Sequence, residues 1–190
     1  KAPILEQLLR LEEGEKAAIL SLELASIRES DWDANGAERA LELGFRADPT
    51  HAEVRSKLQA IYRERGAWFK LAELFVAAAE KAATPDEQIE LLRSAAVTYS
   101  DLAKEPKRAA VVLKMARDLA PGDRALIDEH LAALMAAGQM KEAADELSEL
   151  LATGTNDEAE RDAWLRERCA GDLELLKEVV QLIDSDSTAG

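Results

Sequence analysis

The chain of 190 residues has few of the residue types that build disulfide, metal or redox sites. Cys169 is the only cysteine, so an intramolecular disulfide is impossible. This fits a reducing compartment, and we expect a cytoplasmic protein. The two histidines, His51 and His130, are far apart in sequence, whereas zinc needs three or four convergent ligands. We therefore predict no metal site, a solvated His51, and a hydrogen-bonded His130 in the core or a groove.

Catalytic patterns are also missing from the sequence. The nine glycines stand singly, so there is no glycine-rich loop to hold a phosphate. Pairs such as Ser100-Asp101 have no histidine base close by in sequence. The many carboxylates fall mostly at predicted exposed helix positions, whereas acid-base catalysis needs groups held in a dry pocket. We predict a protein that is not an enzyme and carries no cofactor.

Positive charge and long apolar runs are scarce as well. The net charge is −14 and the sequence has no run of Lys and Arg, which argues against nucleic acid as a partner. No stretch approaches the roughly 20 apolar residues of a membrane span, so we predict no membrane insertion. Basic or amphipathic peptides are the expected partners, and a surface that is acidic only for solubility is the alternative. Because the chain starts at Lys1 instead of Met and has no signal-peptide core, we expect a segment cut from a longer protein.

What the sequence does contain is material for helices. Hydrophobic residues make up 47% and aromatic residues only 4%, so the core must consist of Ala, Leu, Ile and Val. Charged residues make up 33%, and together with abundant Ala and Leu they favour helices with one wet face. Heavy use of alanine with only two asparagines is typical of proteins from GC-rich bacteria. The fold class predicted from these features is all-α.

Capping signals divide the chain into helices of similar length. Thr50 with Glu53 forms one capping box, and Thr84-Pro85-Asp86-Glu87 forms another, 34 positions later. Asp123 is a predicted cap, and Thr155 with Glu158 forms a third box. A spacing of about 34 residues is the period of helical hairpin repeats.

Residues at repeating positions carry a family pattern through residues 18 to 155. They are Leu24, Ala25, Ala37, Leu41 and Pro49; then Leu58, Tyr62, Gly66 and Phe75; then Ala109, Leu113 and Pro121; and finally Gly138, Ala143 and Leu147. In these residues the chain resembles the tetratricopeptide repeat family. The resemblance implies a right-handed α-solenoid of antiparallel helix hairpins, with about 11 helices in this chain.

The expected organisation follows from the resemblance and the capping signals. Residues 1–14 are interpreted as the second helix of a truncated preceding repeat, and residues 15–155 as four helix hairpins. Residues 156–184 are expected to form a C-terminal capping hairpin, because a stack needs a polar outer end. Residues 185–190 are expected to be a disordered tail.

Two departures from the family pattern affect the hairpins. Trp32 and Lys104 stand where the family usually turns on glycine, so these two turns are expected to bend differently. Ala37 and Ala109 are 72 residues apart instead of 68, which predicts that four extra residues lengthen the helix from about Pro85 to Ala103. Trp32 is expected at the surface and Trp68 in the hairpin core.

The resemblance also implies where a partner binds, namely on the concave face lined by the first helix of each repeat. Small residues flanked by carboxylates would form a shallow acidic trough there, suited to an extended basic peptide or an amphipathic helix. The alternative is a spacer or self-association segment of a larger multi-repeat protein, either a homo-oligomer or a continuation into further repeats. The expected partner-binding residues, with Ala60 and Ala132 between them, are Ser26, Glu29, Glu53, Ser56, Lys57, Arg63, Ser94, Thr98, Asp101, Asp128, Glu129, Asp162 and Arg166.

Overall fold

The computed structural model describes residues 1–154 together with 177 and 181. This part of the chain is helical throughout, with nine α-helices, one π-helical turn and no strand, which confirms the all-α prediction. The chain divides into two compact units, Lys1–Lys104 and Glu105–Gly190. The predicted capping hairpin and tail lie outside the described residues, apart from Lys177 and Gln181. None of the described helices is long and apolar enough to cross a membrane.

Unit 1 consists of six α-helices that pack in chain order. Each helix contacts the next, and α1 also reaches α3 while α2 reaches α4. Buried leucines and alanines fill the contacts, as the composition predicts. The elements are α1 (Ala2–Leu9), α2 (Gly14–Ser30), α3 (Ala34–Ala47), α4 (Ala52–Glu64), α5 (Trp68–Ala79), α6 (Pro85–Val97) and the π-helical turn Thr98–Leu102.

Glycine allows a close approach of α2 and α3. A Cβ atom added at Gly44 would stand 2.0 Å from the Ser21 hydroxyl oxygen, so no other residue fits there without a shift. Ser21 is fully buried and its hydroxyl donates to the Ala18 carbonyl at 2.7 Å. Burying the Ser21 hydroxyl therefore costs little free energy, because the hydroxyl makes its hydrogen bond within its own helix.

The N-terminal caps agree with the sequence at two of three described sites. The Thr84 hydroxyl accepts from the Glu87 amide at 3.2 Å, and Asp123 accepts from the Ala125 amide at 2.9 Å. The capping box predicted at Thr50 is wrong, because Asp48 binds both the amide and the hydroxyl of Thr50. The cap of α4 is instead half-buried His51, whose Nδ1 accepts from the Val54 amide at 3.4 Å.

The extra residues of the long helix end in a π-helical turn. Residues 85–102 are continuously helical, as the four-residue insertion predicts, and the last five form i to i+5 turns. The Ala103 amide donates to the Thr98 carbonyl at 2.9 Å. Such turns absorb an inserted residue without ending the helix. Tyr99 stays buried there and meets Phe69 edge to face, with ring centroids 5.8 Å apart.

Unit 2 is described for three helices. They surround a core of Ala110, Ile127, Leu131, Leu134, Ala143, Ala144 and Leu147. The helices are α7 (Pro106–Leu119), α8 (Arg124–Ala136) and α9 (Met140–Gly154).

Four turns share one left-handed backbone conformation. The residues are Trp32, Gly66, Lys104 and Gly138, with φ of 60°, 63°, 59° and 70°. The expectation that Trp32 bends its turn differently is wrong, since Trp32 adopts the φ of the glycines at a steric cost. Lys104 also has a positive φ, but its turn follows the π-helical turn and differs from the others, as expected. After Trp32, Gly66 and Gly138 the next amide donates to the carbonyl five residues back, which closes the helix end. The side chain of Trp32 is 96% exposed, as expected.

Candidate functional site

The residues expected to bind a partner lie mostly at the surface of the alternate helices α2, α4, α6 and α8. Glu53, Ser56 and Arg63 share one exposed side of α4, and Lys57 beside them is half-buried. The α2 helix, which carries exposed Ser26 and Glu29, contacts α4 within unit 1. We use the name acidic face for these residues within each unit taken by itself. In unit 1 they are exposed Ser26, Glu29, Glu53, Ser56, Arg63, Ser94 and Asp101 with half-buried Lys57, and in unit 2 they are exposed Asp128 and half-buried Glu129.

One of the expected residues, Thr98, is buried in the structure, and two others are not among the described residues. Thr98 is only 5% exposed and its hydroxyl donates to the Ser94 carbonyl at 2.7 Å, so a partner cannot reach it. It opens the π-helical turn, where the change of helical pitch alters the face on which a residue falls. Asp162 and Arg166 lie outside the described residues.

Unit 1 contains a cleft of about 290 Å³ that the sequence did not indicate; we call it the first cleft. Phe45, Leu58 and Leu74 from α3, α4 and α5 form its apolar floor, and all three are buried. Its other lining residues are Glu42, Arg46, Tyr62, Lys70, Glu73 and Ala77.

Polar side chains bridge the first cleft from wall to wall. The Lys70 ammonium on α5 donates to Glu38 Oε1 and Glu42 Oε1 on α3, both at 2.9 Å. Tyr62 on α4 donates to the same Glu42 oxygen at 2.9 Å, and the ammonium lies 5.4 Å from the Tyr62 ring centroid. The Arg65 guanidinium also contacts Glu38. These bonds tie three helices together across the opening.

The pKa values in this network follow from those contacts. Burial disfavours the charged form of Glu42, but hydrogen bonds from Lys70 and Tyr62 outweigh burial and lower the Glu42 pKa. The Lys70 pKa is raised by its bonds to Glu38 and Glu42. Burial and the nearby Glu42 carboxylate raise the Tyr62 pKa. These shifts keep Glu42 ionised, Lys70 charged and Tyr62 protonated, which are the forms that make the hydrogen bonds of the bridge.

Unit 2 contains a larger cleft of about 370 Å³, which we call the second cleft. Its floor holds a buried polar trio, one residue from each helix. Arg117 Nη1 on α7 lies 2.6 Å from Glu146 Oε1 on α9, and His130 Nδ1 on α8 lies 2.6 Å from Glu146 Oε2. The side chains of His130 and Glu146 are each 6% exposed. The predicted core or groove position of His130 is therefore confirmed, whereas the hydrogen bond predicted for it is not made at Nδ1.

Burial and contacts act in opposite directions on the trio. Burial disfavours the charged form of Glu146, yet His130 and Arg117 outweigh it and lower the Glu146 pKa. Burial likewise works against charged Arg117, but Glu146 and Asp118 raise the Arg117 pKa. Despite the short distances, His130 Nδ1 and Glu146 Oε1 make no hydrogen bond of acceptable geometry.

The two clefts occupy the same position in the repeat. Adding 72 to each of the nine lining residues of the first cleft gives eight that line the second. The apolar floor residues Phe45, Leu58 and Leu74 correspond to the trio. The other corresponding pairs are Glu42 and Lys114, Tyr62 and Leu134, Lys70 and Glu142, Glu73 and Asp145, and Ala77 and Glu149.

Each cleft lies on the opposite side of its central helix from Ala60 or Ala132, whereas Lys57 and Glu129 of the acidic face directly precede the cleft residues Leu58 and His130. On α8 the second-cleft residues His130 and Leu134 are two positions from Asp128 and Ala132, about 200° around the helix. On α4 the first-cleft residues Leu58 and Tyr62 stand in the same relation to Ala60. The molecule therefore presents two distinct kinds of surface.

Sequence reasoning missed both clefts because their residues come from three helices. The available signal was the 72-residue offset, which the pair Ala37 and Ala109 already shows. Among the described residues, no group of three His, Cys, Asp or Glu side chains is placed to hold a metal ion. No protein-family model matches the chain, and no curated protein matches its sequence significantly.

Proposed function

We propose that the chain is a non-catalytic scaffold segment of the tetratricopeptide kind, which binds a basic or amphipathic protein segment on the acidic face. The proposed architecture is a right-handed solenoid of about 11 helices, of which the described residues supply the first nine. The turns that support it stand at residues 32, 66, 104 and 138, spaced by 34, 38 and 34. Within each unit, packing of each described helix on its chain neighbours supports it as well.

The observation that carries the binding proposal is the exposure of the acidic face. In unit 1 its members come from every second helix, namely α2, α4 and α6, and α2 contacts α4. Serines and alanines between the carboxylates leave room for a peptide backbone. A chain of net charge −14 also attracts cationic segments and speeds their encounter.

Affinity capture from the source lysate tests this function at low and high salt. One variant carries Glu53, Asp101, Asp128 and Glu129 changed to Lys. A matched control changes exposed Glu13, Glu73, Glu80 and Glu105 to Lys, which alters the total charge equally but outside the acidic face and the second cleft. We expect the first variant to lose its partners, the control to keep them, and high salt to weaken capture. Equal retention by both variants would contradict the proposal.

A second candidate function is self-association or continuation into further repeats. The observation that favours it is the apolar side of α1, where Ile4, Leu8 and Leu11 are 65%, 41% and 80% exposed. Analytical ultracentrifugation of Leu8→Glu with Leu11→Glu distinguishes the two candidates. A dimer that dissociates in this variant, together with unchanged capture by the acidic face, would separate the two roles.

A further inference from the structure

We propose that the second cleft is a binding site for a small dipolar ligand that carries a carboxylate and an ammonium or guanidinium group. A free basic amino acid or a peptide chain terminus has this chemistry. Its lining residues on α7, α8 and α9 are different from those of the acidic face.

The first reason is that the fold does not need the charges in the floor. Phe45, Leu58 and Leu74 fill the same three positions in unit 1 with an apolar floor. Moving charged groups out of water costs free energy that an apolar trio of similar volume avoids. Charges kept at such positions in a cleft are therefore typical of a functional site.

The second reason is that the second cleft lacks the bridges that cross the first. Ala110 stands in place of Glu38 and Leu134 in place of Tyr62, so two of the bridging side chains are missing. The volume rises from about 290 to about 370 Å³. That volume falls at the lower end of small-molecule sites, roughly 300 to 1,000 Å³.

The third reason is that the walls carry opposite charges. The α7 wall presents Lys114 beside Arg117, while Glu142, Asp145 and Glu149 line the α9 wall. Within the part of the chain that the structure describes, neither Lys114 nor Asp145 has an ion-pair partner. One cation and one anion thus face the same space with their charges available.

The fourth reason lies beneath this space, in the trio itself. His130 Nδ1 and Glu146 Oε1 are buried atoms without a hydrogen bond, although each has a charged neighbour 2.6 Å away. Buried polar atoms are nearly always hydrogen-bonded in native proteins. The trio is therefore held by charge at short but poorly aligned contacts, which leaves its hydrogen-bonding capacity incomplete at the base of the cleft.

These walls select for a ligand with both charges. A simple cation is attracted by the α9 wall but repelled by Lys114 and Arg117. A simple anion is attracted by Lys114 and Arg117 but repelled by the carboxylates of the α9 wall. A dipolar ligand places its carboxylate toward α7 and its ammonium or guanidinium group toward α9.

Titration of the full chain, followed by amide chemical shifts, tests the site. The probes are L-arginine, agmatine, acetate and an N-acetylated tripeptide ending in arginine with a free carboxylate. Agmatine keeps the guanidinium group but lacks the carboxylate. The variants are Lys114→Gln and Asp145→Asn, with Glu73→Gln as the matched control because Glu73 corresponds to Asp145 in unit 1.

We expect saturable shifts on α7, α8 and α9 with L-arginine, and binding at least about tenfold weaker in Lys114→Gln and in Asp145→Asn. Glu73→Gln should bind as the wild type does. Equal binding of the tripeptide identifies a chain terminus as the natural source, whereas weaker binding identifies a free amino acid. Saturation by agmatine as tight as by L-arginine, or no saturable shift with any probe, overturns the proposal.

Discussion

The first and second clefts are built from corresponding positions of three helices, but their floor residues differ in polarity. In both, a first wall, a central helix and a second wall come from three consecutive helices, at positions 72 residues apart. The first cleft has an apolar floor and a polar bridge above it, while the second has a polar floor and no matching bridge from Ala110 and Leu134. The bridge of the first cleft buries one carboxylate, Glu38, whose side chain is 10% exposed, while Glu42 and Lys70 are 26% and 51% exposed. The trio of the second cleft buries both Glu146 and His130, each 6% exposed, so desolvation costs more free energy in the second cleft.

The largest effect is expected when one charge is placed alone in the apolar floor. Leu74→Glu buries a carboxylate beside Phe45 and Leu58, while the nearby Lys70 is already held by Glu38 and Glu42. We expect unfolding free energy to fall by about 3 to 5 kcal/mol in urea titrations. Adding Phe45→Arg and Leu58→His to the same chain transplants the trio and should restore part of this loss. A triple variant no more stable than the single one would show that the floors are not equivalent.

The reverse exchange gives the next largest effect, with the opposite sign. Replacing Arg117, His130 and Glu146 by Phe, Leu and Leu installs the first-cleft floor in unit 2. We expect stability to stay unchanged or to rise by about 1 to 4 kcal/mol, because desolvation of the trio is avoided. Glu146→Leu alone should be destabilising, since it leaves Arg117 and His130 without their shared carboxylate. A triple variant as unstable as the single one would mean that the trio contributes net stability.

Acid titration distinguishes the carboxylates of the two clefts. The Glu146 pKa is lowered from its ordinary value of 4.5, so the folded state favours the charged form. The resulting stability is fully present above pH 4.5 and is lost as the pH falls through the folded pKa. Glu146→Gln should therefore be less stable than wild type near neutral pH, with the difference shrinking below pH 4.5.

Glu42→Gln serves as the comparison, because the Glu42 pKa is lowered in the same direction. Its side chain is 26% exposed against 6% for Glu146, so solvent screens its contacts more strongly. We expect the same pH dependence with a smaller amplitude. Thermal unfolding from pH 3 to 7 measures both, and an equal amplitude for the two variants would contradict the ranking.

Local features of the fold were predictable from the sequence, and the clefts were not. The Thr84 and Asp123 caps and the helix ends follow from residues within four positions of one another. Where two local partners compete, as Asp48 and Glu53 do for Thr50, the sequence does not rank them. The contact of Arg117 with Glu146 joins residues 29 positions apart. Helical periodicity shows which side of α9 is apolar, but it does not show that a glutamate on that side meets an arginine of another helix.

The smallest effects concern the four turns, where Gly66 and Gly138 have a positive φ that Trp32 and Lys104 share. Replacing Gly66 or Gly138 by Ala should lower the free energy of unfolding by about 1 kcal/mol, because a Cβ atom is disfavoured at φ near 65°. Trp32→Gly should instead be neutral or stabilise by about 0.5 kcal/mol. It removes the same steric cost and no packing, since Trp32 is 96% exposed, but it adds freedom to the unfolded chain. Lys104→Gly tests the same balance beside the π-helical turn. Urea unfolding of the four variants measures these signs, and a Trp32→Gly loss as large as that of Gly66→Ala would mean that the indole, despite its exposure, stabilises the turn.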